Sequence, residues 1–96
     1  MRCAVIDGMT ITGRERLHDV LERELPLPEW YGRNLDALYD CLTDLHEEVA
    51  VRVVHPEVLS DILGLYAQAL RAVLSQACRE NPRLTCVWGS ELLPDQ

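Results

Sequence analysis

The sequence contains no lysine. All nine of its basic residues are arginines, and they face sixteen aspartates and glutamates for a formal charge of -7. A chain so short of positive charge is repelled by nucleic acid and by anionic lipid, so no direct nucleic-acid or membrane partner is expected. Long hydrophobic runs are also missing. No apolar stretch approaches the ~20 residues that span a bilayer, and Met1-Arg2-Cys3-Ala4-Val5-Ile6-Asp7 is broken too early to act as a secretory signal. Cys3, Cys41, Cys78 and Cys86 lie far apart, with no C-x-x-C and no histidine at ligand spacing. Neither metal nor cofactor is therefore expected. Without an export signal the four read as reduced thiols of a cytoplasmic protein, mostly small buried apolar groups. Repeats, low-complexity stretches and linkers are absent as well, so 1–96 reads as one domain with 91–96 as a flexible tail. A chain of 96 residues can bury roughly 60–65% of its unfolded surface, enough to fold alone.

The order of elements follows from the apolar spacing and the breakers. Residues 1–6 read as a buried strand ended by Asp7-Gly8. Thr12-Gly13-Arg14-Glu15 matches a capping box, and Leu17, Val20, Leu21 and Leu25 follow at helical spacing until Pro26, giving a helix over about 13–25. Leu25 to Gly32 is a stiff connector, with two prolines that fix φ and a glycine that permits a turn. Asn34 is a favourable N-cap for a second helix reaching about Leu45, and Asp36 complements its positive dipole end. Val49–Val54 is a β-branched run of strand length. Pro56 suits the first turn of a third helix that Gly64 ends. A fourth covers about 65–80, and Leu84–Trp88 reads as the last strand. Strands separated by helices imply crossovers. The expected fold is therefore α/β, with a three-stranded parallel sheet, helices on its faces and about four helices in all.

The second helix carries two stripes. Leu35, Leu38, Leu42 and Leu45 share the core side, while Asp36, Asp40 and Asp44 stack four residues apart along an outward side bordered by Tyr39 and Thr43. Like charges at that spacing cost an isolated helix a few tenths of a kcal/mol per pair. Residues 29–48 hold six acids, Glu29, Asp36, Asp40, Asp44, Glu47 and Glu48, against Arg33 alone. Trp30, Tyr31 and Gly32 lie at the border. Rigid aromatic area beside orienting charge is what a protein-binding surface uses.

The stretch Leu27-Pro28-Glu29-Trp30-Tyr31-Gly32-Arg33-Asn34-Leu35-Asp36-Ala37-Leu38-Tyr39-Asp40-Cys41-Leu42-Thr43 resembles the signature of the barstar family, intracellular inhibitors of barnase-type ribonucleases. A weaker likeness runs over nearly the whole chain, including Ala4-Val5-Ile6, Leu17-His18 and Leu84-Thr85. The resemblance implies the same three-stranded parallel sheet with four helices. It also implies a non-enzymatic inhibitor, monomeric when free, that forms a 1:1 complex with a basic secreted ribonuclease. By position, Asp40 would occupy the place of substrate phosphate, accepting charge-assisted hydrogen bonds from Arg and His groups of the enzyme. Asp36 would pair with a second basic group. Trp30, Tyr31, Gly32, Asn34, Leu35, Tyr39, Thr43 and Asp44 would frame the contact. Tyr39 stands where the best-known member has Trp, and Trp30 where it has Tyr. Arg33 adds a positive charge at the rim, and Gln76 replaces an acid of the fourth helix. These departures bear on which nuclease is the target, not on the inhibitor reading.

Two other classes fit the same residues less well. An enzyme would need Asp36 and Asp40 as a carboxylate pair, or Cys41 as a nucleophile with His18, His46 or His55. Exposed helix carboxylates lack the burial that tunes pKa, and no histidine is tied to Cys41 by spacing. An immunity or adaptor protein could use the same acidic face on a different basic protein or toxin. A concave site would favour an enzyme, and a convex acidic surface an inhibitor.

Overall fold

The run Val49–Val54 forms the middle strand of a sheet whose neighbours on both sides are parallel to it, as seen in a computed structural model that describes residues 1–89. In chain order the elements are β1 (Arg2–Asp7), a 3-10 turn (Gly8–Thr10), α1 (Arg14–Glu24), α2 (Leu35–Thr43), β2 (Val49–Val54), α3 (Pro56–Leu63), α4 (Leu65–Glu80) and β3 (Leu84–Trp88). The sheet order is β1-β2-β3. Arg2 is in register with Val49, and Val49 with Leu84. Each parallel pair needs a crossover. The helices α1 and α2 make the first, and α3 and α4 the second. The expected α/β architecture is the observed one.

Burial alternates along the strands. Ala4, Ile6, Val49, Val51, Val53 and Leu84 point into the core, whereas Val5, Arg52 and Thr85 are exposed. Among the described residues, one face of the sheet therefore lies under the helices and no helix covers the other, whereas the sequence reading put helices on its faces. Against the buried face pack Leu17, Val20 and Leu21 of α1, Leu38 and Leu42 of α2, Leu59 of α3, and Leu70, Leu74 and Ala77 of α4. Each large aliphatic side chain so buried contributes roughly 1.5–3 kcal/mol relative to exposure. On the free edge of β1, the Val5 amide donates to the Glu24 carboxylate at 2.9 Å. This closes one of the unpaired groups that make an edge strand sticky.

Two helix ends depart from the sequence reading. No capping box forms at Thr12. Gly13 itself takes the N-cap position in an extended conformation, no side chain caps it, and α1 starts at Arg14. At the other site α2 stops at Thr43, two residues short of Leu45. Asn81, buried between α4 and β3, explains the early stop. Its side-chain amide donates to the carbonyls of Leu42 (2.9 Å) and Leu45 (3.3 Å), while its oxygen accepts from the Arg83 amide (3.0 Å). The expected tail, 91–96, lies outside the described residues.

A buried histidine ties three elements together. His18 of α1 is 3% exposed, with Nδ1 2.6 Å from the Tyr31 hydroxyl and Nε2 2.7 Å from the Tyr66 hydroxyl. A neutral ring has one N–H to donate and one lone pair to accept, which suits two hydroxyls. Burial is the main cause that lowers its pKa, and the Arg33 charge adds to it.

Replacing Asn81 by Ala strands two buried carbonyls and one amide. The expected loss is about 2–3 kcal/mol of folding stability, read from the urea midpoint. The His18 contribution has a definite sign. In the unfolded chain the ring titrates near 6.5, and in the folded protein it titrates lower. The unfolded chain thus takes up the proton more readily, so stability is full above about pH 6.5 and falls as the pH drops toward the folded pKa. This one group supplies a slope of at most about 1.4 kcal/mol per pH unit. The variant His18→Gln is expected to lose that part of the slope, and identical pH profiles for the two proteins would contradict the assignment.

Candidate protein-binding site

The connector between α1 and α2 is fixed by turns and by opposite fates for its two aromatics. Pro26 and Pro28 set φ for the first half, and the Tyr31 amide donates back to the Pro28 carbonyl at 3.0 Å. Tyr31 points inward and is 5% exposed, held by His18. Burial pushes its hydroxyl pKa well above the ordinary range. Trp30 points outward and is 76% exposed. Of the expected contact residues, Tyr31 is therefore a core anchor of the loop, and Trp30 is the ring left free. An exposed indole is a rigid apolar platform with one hydrogen-bond donor.

The turn into α2 is made by Arg33 and not by Gly32. Arg33 has φ 54, a left-handed conformation that costs a non-glycine residue roughly 1–2 kcal/mol. Its guanidinium explains why the conformation is kept. It donates to the Asp19 carboxylate (2.8 Å), the Glu15 carbonyl (2.9 Å) and the Glu22 carboxylate, all on α1. The Asp19 bond is the chief reason its pKa rises. The positive charge expected at the rim is thus turned away and satisfied by another helix.

The first turn of α2 is capped by Asn34, whose side-chain oxygen accepts from the Ala37 amide at 2.7 Å. Such a cap is worth ~1 kcal/mol. Leu38, Leu42 and Leu45 are buried, and Leu35 is half-buried against the same core. On the other side Asp36, Asp40 and Asp44 are exposed. Among the described residues no arginine pairs with any of them. The ion pairs run instead between Arg2 and Glu47, Arg23 and Glu24, and Arg33 with Asp19 and Glu22. Asp44 has His46 at 3.9 Å, but both side chains are more than 80% exposed, where such contacts are worth little. The ridge of negative charge stands free.

Around the ridge the sequence reading needs two additions. A groove of about 480 Å³ runs beside it, lined by Pro26, Pro28 and Trp30 of the connector and by Asp40, Asp44 and Glu47 among others. The acidic surface is consequently a ridge and a groove together, not a simple bulge. The second addition is Glu80, in the last turn of α4. It accepts from the Gln76 amide at 2.6 Å and lies against Tyr39, and these two contacts, Gln76 first, lower its pKa. Glu80 in turn is the main cause that raises the pKa of Tyr39. Gln76 is exposed and also accepts from Arg79 at 2.5 Å. An acid, Glu80, thus stands one helical turn beyond Gln76. Its i, i+4 spacing from Gln76 was the available signal. Thr43 is half-buried, and its hydroxyl donates to the Tyr39 and Asp40 carbonyls of its own helix. Gly32 is exposed beside Asn34.

Of the groups an enzyme could use, two histidines are engaged elsewhere, while His46 is exposed and lines the groove with Cys41, Asp40 and Asp44. Burial, with the charges of Asp40 and Asp44 adding to it, raises the Cys41 thiol pKa, the wrong direction for a nucleophile. His18 is committed to two tyrosines, and His55 Nδ1 lies 3.0 Å from the Asp7 carboxylate. Among the described residues no group of three or more His, Cys, Asp or Glu could hold a metal ion, and no helix is long and apolar enough to cross a membrane.

The family described as barstar (barnase inhibitor) matches residues 1–88. A protein of Bacillus subtilis (strain 168), "Putative ribonuclease inhibitor YrdF", is 41% identical over 81 residues, which covers 83% of this chain and 89% of that protein. With the match running from the first strand through the last, across the acidic ridge and the loop before it, the chain belongs to the barstar family.

Proposed function

We propose that this protein is a cytoplasmic inhibitor of a basic ribonuclease of the barnase type, binding it 1:1 as a monomer through α2 and the loop before it. The observation that carries the reading is the free ridge. Three carboxylates repel one another along α2 while the one arginine in that stretch is engaged by α1. A surface kept anionic at the expense of helix stability suits a cleft built to hold RNA phosphates. Asp40 and Asp36 meet the cationic groups of that cleft, Asp40 in the position of a phosphate. A carboxylate is compact and accepts two hydrogen bonds at once, so it is a reasonable mimic. Trp30, Gly32, Asn34, Leu35, Tyr39, Thr43 and Asp44 border the contact, Tyr31 fixes the loop from inside, and Gln76 acts by holding Glu80. Inhibition is occlusion: the nuclease is blocked because its substrate cannot enter, with no bond made or broken.

The variant Asp40→Ala is expected to weaken binding to a barnase-type ribonuclease by about 2–5 kcal/mol, a range to which the barnase–barstar pair itself contributes. Its melting temperature should stay within a few degrees of wild type. Titration calorimetry and a thermal melt separate the two effects, and a large loss of both would make Asp40 structural. Opposite potentials also steer encounter. The association rate should fall at least about tenfold between low and high salt, as stopped-flow mixing would show; a salt-independent rate removes steering by the ridge.

A further inference from the structure

Two of the four cysteines do not stay apart. Cys78 lies near the end of α4 and Cys86 in the middle of β3, and the packing of that helix on the sheet brings their sulfurs to 2.8 Å. Both residues are half-buried, while Cys3 is exposed and Cys41 is buried in α2. Two unbonded sulfurs do not rest comfortably so close, and the seven residues between them keep the pair together whenever the fold is intact.

We infer that Cys78 and Cys86 are a redox modification site, closed to an intramolecular disulfide by exchange with a low-molecular-weight disulfide such as oxidised glutathione. Cys78 is the entry point. Its neighbour's thiol hydrogen bond lowers its pKa, and the Arg79 charge helps, whereas contact with Cys78 and burial push the Cys86 thiol up. The Cys78 thiolate attacks one glutathione sulfur, the glutathione disulfide bond breaks, and one glutathione leaves as thiolate. The mixed disulfide on Cys78 is then attacked by the Cys86 sulfur, whose proton passes to solvent, and the second glutathione leaves. Two protein thiols are oxidised and one small disulfide is reduced to two thiols. The product clasps α4 to β3.

The test is to incubate the folded wild-type protein with oxidised glutathione, alkylate the remaining thiols, digest, and map the cross-links by mass spectrometry. The expected result is a peptide pair joined through Cys78 and Cys86, with Cys41 alkylated and a melting temperature raised by roughly 10 °C. The variant Cys86→Ser should hold glutathione on Cys78 without closing and show no such rise. Recovery of Cys78 and Cys86 as free thiols, as two glutathione adducts, or linked to any other cysteine would overturn the proposal. An equal rise in Cys86→Ser would do the same. If that variant does not fold, the wild-type map decides alone.

Discussion

Everything exposed on α2 depends on how firmly its hidden side is held. Asp36, Asp40 and Asp44 repel one another at four-residue spacing, costing a few tenths of a kcal/mol per pair. The buried side chains of Leu38 and Leu42 contribute roughly 1.5–3 kcal/mol each. Asn34 secures the first turn and Asn81, reaching across from the end of α4, secures the last. Repulsion loses by a wide margin, and a nine-residue helix too short to persist alone in water becomes a rigid mount for three like charges.

The same logic governs the loop. A positive residue beside three aspartates would be expected to fold onto them, and Arg33 does not. Its guanidinium finds two carboxylates and a carbonyl on α1, which hold its backbone in a left-handed turn and leave the ridge unneutralised. Tyr31 is pinned by His18, which is pinned in turn by Tyr66 of α4. Trp30 is thereby presented on a connector that has little freedom left. A surface already in its bound shape loses less entropy on association, and affinity gains accordingly.

Much of this was legible in the sequence, for identifiable reasons. The β2 run, Pro56 at the start of α3, Gly64 between α3 and α4 (φ 58) and the Asn34 cap are local signals with local causes, and they fall where the spacing predicts. The two stripes of α2 follow from helical geometry alone. What could not be read were contacts between residues distant in the chain. Thr12 offered a capping box, but Gly13 took the cap. The end of α2 was set by Asn81, almost forty residues away. The direction of Arg33 depended on acids of α1, the role of Glu80 on the closeness of Tyr39, and the meeting of Cys78 with Cys86 on the packing of a helix over a strand. None of these leaves a mark on hydrophobic periodicity.

The contact proposed with a ribonuclease is made by α2 and the loop before it, while the open face of the sheet stays free. An amide chemical-shift map of the isotopically labelled protein, titrated with a catalytically inactive barnase-type ribonuclease, tests that claim most directly. The account predicts the largest shifts along residues 30–44 and near Glu80, with Arg52 and Thr85 on the open face unmoved. A footprint centred on the open face, with Asp36, Asp40 and Asp44 undisturbed, would contradict it.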